Sequence, residues 1–246
     1  MIRPPILDKD PSSVRGSALI YVLIAVALLA ALTVSMMEPS SQQAQSQSAT
    51  NLGSELESQI GFITAGVSEC IVGHPDQDSG LTSTEQKNAP YPINPQDPYF
   101  TAQSATPASD ADDNVEHIRC PGSPGGTGPN NQDHARIFGG ASGKFLAPPP
   151  SLFDPWTYYN GADGVAIMIA SDKTDAFIKT ALDRLDDKFS ECEAEVIDRR
   201  GLGALAVTSD TTPGAGAARS CPAGDICFRY WIILKGTAIH QDAGCP

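Results

Sequence analysis

The sequence predicts an α+β protein. A long N-terminal helix, apolar first and amphipathic after, carries a disulfide-containing head built on a small antiparallel sheet and one packed helix. Three observations carry that expectation. Ser17 to Met37 is an uncharged apolar run of 21 residues. An apolar stripe at helical spacing begins at Leu52, and two strand-like apolar runs flank a second helical stripe near the C-terminus.

Residues 1–16, MIRPPILDKDPSSVRG, are polar and slightly basic and read as a cytoplasmic leader. Residues 17–37 follow as a transmembrane helix, because a bilayer core is crossed by about 20 apolar residues. The apolar core of a signal peptide is shorter, about 7–15 residues, and exits through an Ala-x-Ala-like site. This run ends in Met-Met-Glu-Pro, so it is expected to be retained. Lys9 and Arg15 precede it and the next Lys or Arg is Lys87, which leaves the N-terminus in the cytoplasm and exports the rest.

Residues 38–71 read as an amphipathic continuation of the same helix. Ser40–Asn51 is polar and uncharged; then Leu52, Leu56, Ile60, Ile63, Val67 and Cys70/Ile71 recur at spacings of three and four, with Glu55, Glu57, Ser68 and Glu69 largely off the stripe. Pro39 either bends the helix or ends it at Glu38.

Residues 72–160 are loop-rich. Pro90-Tyr91-Pro92, Asn94-Pro95, Asp97-Pro98, the Pro and Gly cluster from Cys120 to Gly126, and Pro148-Pro149-Pro150 interrupt both helices and central strands. Phe153 and Trp156 are expected to pin the aromatic stretch 152–161 to the core. Residues 161–246 form the α+β core of the head. Gly164–Ala170 reads as a buried strand, and a helix is expected from about Lys173 to Ile197, capped by Ser171 or Asp172 and ended by Gly201. Its stripe is Ile178, Leu182, Leu185, Phe189, Cys192 and Val196, with Asp175 and Lys179 as a supporting ion pair. Leu202–Thr208 and Ile226–Lys235 are expected strands. In the second, Cys227, Arg229, Trp231 and Ile233 share one face, with Phe228, Tyr230, Ile232 and Leu234 on the other.

The residues at the start of the apolar run carry a resemblance. Arg15-Gly16 followed by Ser17-Ala18-Leu19-Ile20 and VLIAVALLAAL resembles the N-terminus of type IV pilin-like proteins and pseudopilins. The resemblance covers residues 15–71. It implies cleavage between Gly16 and Ser17 by a prepilin peptidase, and assembly with other pilin-like subunits through the N-terminal helix. Pro39 lies where many members carry a kinking proline. Two positions depart from the pattern: Ser17 stands where Phe is usual, and Tyr21 stands where most members carry a Glu that pairs with a neighbouring subunit. The second departure implies either a minor or tip subunit of a type IV pilus, type II secretion or related filament system, or a divergent branch of the family. The expected location is the bacterial inner membrane, single-pass, with the head in the periplasm. The alternative is a signal-anchored periplasmic binding or adhesion domain that does not polymerise.

Composition and motifs narrow the remaining chemistry. After Gly16 the chain has 13 Lys and Arg against 27 Asp and Glu, a balance that repels nucleic-acid phosphates, so no nucleic-acid partner is expected. Cys70, Cys120, Cys192, Cys221, Cys227 and Cys245 all lie in the exported part, where an even count favours disulfides. Six cysteines allow 15 pairings, and the sequence does not choose among them. No metal, cofactor or catalytic site is expected. His117-x-x-Cys120 lacks a second ligand pair, and the calcium-like start Asp76-Gln77-Asp78 has Lys87 at its twelfth position. Asp110, Asp112 and Asp113 read as a solvated acidic loop. Gly201-x-Gly203-x-x-Ala206 follows a helix rather than a strand, and Gly140-Ala141-Ser142-Gly143-Lys144 lacks a nucleophile elbow's second glycine.

Overall fold

The computed structural model describes residues 15–81, 88–95, 113–123, 134–208, 219–236 and 245, with the side chains at 15–18, 34–42 and 141 outside the description. The expected acidic loop residues Asp110 and Asp112, and Lys87, lie outside the described residues. Helix α1 spans Arg15–Gly73, and the chain divides at Ser48 into two compact units.

In the N-terminal unit the backbone is helical through Pro39, so the helix does not stop at Glu38. The side chains described between Leu19 and Leu32 point into solvent throughout, including Leu19, Ile24, Leu29 and Leu32. Among the described residues no helix is long and apolar enough to cross a membrane, and the apolar run is described in its side chains only over 19–33.

The second unit, from Ala49 onward, is α+β. Its main sheet has four antiparallel strands in the order β1-β2-β6-β3: β1 Thr157–Gly161, β2 Gly164–Ser171, β6 Ile226–Leu234 and β3 Ala194–Asp198. Strands β4 (Leu205–Ala206) and β5 (Ser220–Cys221) make a separate two-stranded ribbon. Helix α2, Ala176–Asp186, follows β2.

The expected stripe of α1 is the spine of this core. Leu52, Leu56, Ile60, Ile63, Val67 and Cys70 are all buried, clustered with Val165, Ile167, Ile169 and Phe228 of the sheet and with Ile178, Leu182 and Leu185 of α2. Spacings of three and four put these residues on one face, and burial of that face holds the helix to the sheet. Glu55, Glu57, Ser68 and Glu69 are exposed, and ion pairs from Lys188 to Glu57 and from Lys144 to Glu69 flank the contact. Gly66 admits Phe138: a Cβ there would meet the Phe138 ring at 2.8 Å. Within the stripe Gln59 is also buried, accepting from Trp156 Nε1 at 2.7 Å and donating to the Pro148 carbonyl at 3.0 Å. Phe153 and Trp156 are buried in the core as expected.

Several local expectations are corrected. The helix predicted over Lys173–Ile197 is α2 alone, and Ala194–Asp198 is the edge strand β3. Ile178, Leu182 and Leu185 lie on α2, whereas Phe189 and Cys192 sit in the connecting turn and Val196 is in β3. The turn closes through Phe189 N–H to Asp186 O and Glu193 N–H to Ser190 O, with no Gly or Pro in it. Asp175, not Ser171 or Asp172, is the N-cap, and Lys179 pairs with Asp183 at 2.7 Å rather than with Asp175. Gly201, with φ 75°, sits in the turn after β3 and caps no helix. Of the strand expected over Leu202–Thr208 only Leu205–Ala206 forms.

The expected alternation along β6 also breaks near its end. A bulge opposite Val165/Ala166 pairs Ala166 with Trp231 and Val165 with Ile233, leaving Ile232 extra. Beyond a bulge the faces exchange. Ile233 therefore joins the α1 side of the sheet, and Leu234 joins Trp231 on the other. Gly164, at φ 142°, makes the bend: a Cβ would run into the Ile233 carbonyl.

Strand β1 was not expected within the loop-rich region. Its edge is covered by residues 88–95, an arrangement that prevents open strand edges from pairing with other chains. Asn94 bonds to Asn160 in both directions at 2.8 Å, and Asn160 Nδ2 and the Tyr158 hydroxyl both donate to the Pro92 carbonyl. Burial holds the Tyr158 phenol well above its ordinary pKa.

Candidate functional site

The residues singled out at the N-terminus lie in α1. Gly16 and Ser17 have helical backbone, Tyr21 is exposed, and Pro39 lies inside the helix. Among the described residues, 19–33 present a contiguous run of solvent-facing side chains that is mostly apolar. Soluble proteins seldom expose a contiguous apolar patch beyond a few hundred Å², and larger ones mark a membrane or protein contact.

The six cysteines form three disulfides, Cys70–Cys120, Cys192–Cys245 and Cys221–Cys227, with Cα separations of 5.4, 5.5 and 5.9 Å. The first fastens the end of α1 to the loop-rich region. The second ties Cys245 to the turn before β3, and the third closes the short connection from β5 to β6. The pairing removes Cys120 as a thiolate partner for His117. No group of three or more His, Cys, Asp or Glu suited to a metal occurs among the described residues. Asp78 of the calcium-like stretch instead takes Gly80 N–H at 2.7 Å and faces buried His134 Nε2 at 2.9 Å, while His134 Nδ1 faces the Ser123 carbonyl at 2.6 Å. These contacts lock the loops after α1 and after Cys120 to each other. Ser142 lies in a short 3-10 turn and bonds to Gly139 O and Lys144 N, with no base beside it in those contacts.

The far face of the sheet carries a feature that sequence reasoning missed. Arg229 and Glu195 form an ion pair there with side chains 1% and 2% exposed. The guanidinium also donates to the Val207 carbonyl and stacks 5.0 Å from the Trp231 ring centroid. Taking two charges out of water costs several kcal/mol per ion, so such a pair persists only with extra hydrogen bonds of this kind.

Beside it opens a cleft of about 370 Å³. Pro155, Met168, Ala170 and Pro222 give it apolar walls, and the ion pair of Asp113 and Arg219, 2.5 Å apart, also lines it. Arg219 also donates to the Tyr158 carbonyl at 2.8 Å, and burial lowers its pKa against the opposing pull of Asp113. Asn114, Asp154, Thr157 and Ser220 complete the lining. Four segments far apart in the chain supply these residues, which is why no local motif announced them. The arrangement can hold a small ligand.

The chain matches no known family model, curated protein or solved structure. Fold and surface alone therefore define the class: a disulfide-bonded α+β domain on a helix that begins with an exposed apolar run.

Proposed function

We propose that the protein is a pilin-like structural subunit of a bacterial type IV pilus, type II secretion or related filament system, occupying a minor or tip position. The observation that carries this reading is α1. It contains the Arg15-Gly16-Ser17 junction, bears exposed apolar side chains over 19–33, and ends as the buried spine of an α+β head. An apolar helix satisfies its own backbone in lipid, so Ser17–Met37 can sit in the inner membrane before assembly. Small residues such as Ala25, Ala27, Ala30 and Ala31 then allow neighbouring helices to approach. Disulfides fit an exported head.

Tyr21 supports the minor or tip position, because it stands where most members of the resembled family carry a Glu that pairs with a neighbouring subunit. In this reading the prepilin peptidase removes residues 1–16, and the head faces the periplasm or the filament surface. Replacing Gly16 with a bulky residue tests it: the full-length precursor should accumulate in the membrane and disappear from any sheared filament fraction. Unchanged size and distribution of the variant would count against the proposal.

A further inference from the structure

The cleft beside the far face of the sheet has a charge balance that selects its ligand. Asp113 is answered at 2.5 Å by Arg219. Asp154 is not answered in this way: its carboxylate makes no hydrogen bond or ion pair with another described residue. Lys173 is engaged by Asp172 at 2.6 Å and also feels Asp154 and Asp175. Asp225 lies three residues beyond the Pro222 wall, and its pKa is raised by burial and then by repulsion from Asp154 and Asp172. One ammonium thus serves several carboxylates at this corner, which favours a cationic ligand over an anionic one.

The shape completes the selection. A volume of about 370 Å³ sits at the small end of ligand pockets, which run from about 300 to 1,000 Å³. It admits one long side chain. The apolar walls at Pro155, Met168, Ala170 and Pro222 suit a methylene stem, and Asp154 suits the charged head it carries. Two of the four wall residues are prolines, so part of the wall is held without a ligand.

We propose that this cleft binds a Lys or Arg side chain presented by a partner protein, with its cationic head at Asp154 and its stem along the apolar walls. The proposal does not depend on the filament reading and can fail without it.

Calorimetric titration of the detergent-solubilised full chain tests it. The probes are acetyl-Gly-Lys-Gly-amide, its Arg, Gln and Glu counterparts, and n-butylamine. The Lys and Arg peptides should bind about tenfold or more tighter than the Gln peptide, and added salt should weaken them. Asp154→Asn should weaken Lys-peptide binding about three- to tenfold while leaving the unfolding transition in place, because the carboxylate it replaces makes no internal bond. The proposal is overturned by equal binding of the Lys and Gln peptides, by preference for the Glu peptide, by no binding at all, or by an unaltered Asp154→Asn variant. Binding of n-butylamine as tight as the Lys peptide would overturn the assignment to a protein segment.

Discussion

Gln59→Leu isolates the polar joint at the centre of the helix–sheet core. The two side chains are similar in size, so the change removes hydrogen bonds with little loss of packing. Trp156 is 2% exposed, and its indole N–H donates to Gln59 Oε1 at 2.7 Å. Left without an acceptor, a buried donor costs about 1–3 kcal/mol. The Pro148 carbonyl also loses its 3.0 Å bond, but Pro148 is exposed and water can replace the donor. The added apolar surface offsets part of the loss, so the net cost should be about 1–2 kcal/mol. Gln59→Glu sharpens the test. Its carboxylate can still accept from Trp156, yet ionised it is buried and faces the Pro148 carbonyl. Burial raises its folded pKa above the unfolded value, so this variant should be most stable in acid and lose stability as pH rises through that folded pKa. Denaturant unfolding of the full chain in detergent, followed by near-ultraviolet circular dichroism, reads both variants. A Gln59→Leu protein within about 0.5 kcal/mol of the parent would contradict this role for Gln59, since that is the scatter of exposed substitutions.

Other expectations rest on equally specific contacts. Ile63→Ala, at a fully buried position on the α1 stripe, should cost about 2–5 kcal/mol in the same unfolding experiment, whereas Ser58→Ala on the exposed face should be near neutral. Removing Cys221–Cys227 should cost about 2 kcal/mol and removing Cys70–Cys120 about 4 kcal/mol in a chain-entropy account, because sequence separations of 6 and 50 close loops of very different length. Arg229→Leu should destabilise by about 3–5 kcal/mol, and adding Glu195→Leu should recover much of that loss, because the second change removes the stranded charge. Arg200 bonds to Asp198 and holds its carboxyl below the ordinary range; this contribution is present above the unfolded pKa and lost as pH falls through the folded one. Asp225 runs the opposite way, so Asp225→Asn should raise stability slightly at neutral pH in a thermal-melt comparison.

The elements legible in the sequence are those whose local pattern and tertiary burial agree. The α1 stripe from Leu52 to Cys70 repeats at three and four, and those residues are the buried ones. Gly164–Ala170 and Ile226–Lys235 are apolar enough to be central strands and are neighbours in the sheet. Misreading begins where pattern and fold diverge. Phe189, Cys192 and Val196 continue the helical spacing past Asp186, yet Phe189 turns back to stack on Phe228 and Tyr230 while the chain reverses into β3. No proline or glycine marks that reversal. The exchange of Ile233 and Leu234 comes from one extra residue in β6, a register fact with no local signature. Strand β1 was hidden among prolines and aromatics, although its partner β2 begins directly after the two-residue turn 162–163. The cleft depends on residues from 113 to 222 meeting in space. Its charges were visible in the sequence, but their juxtaposition was not.

N-terminal sequencing of the protein extracted from bacterial membranes tests the proposed cleavage between Gly16 and Ser17 most directly. The mature chain should begin at Ser17 when a prepilin peptidase is present, and at Met1 when that enzyme is deleted. A start at Met1 in both strains, or a cut beyond Met37, would contradict it.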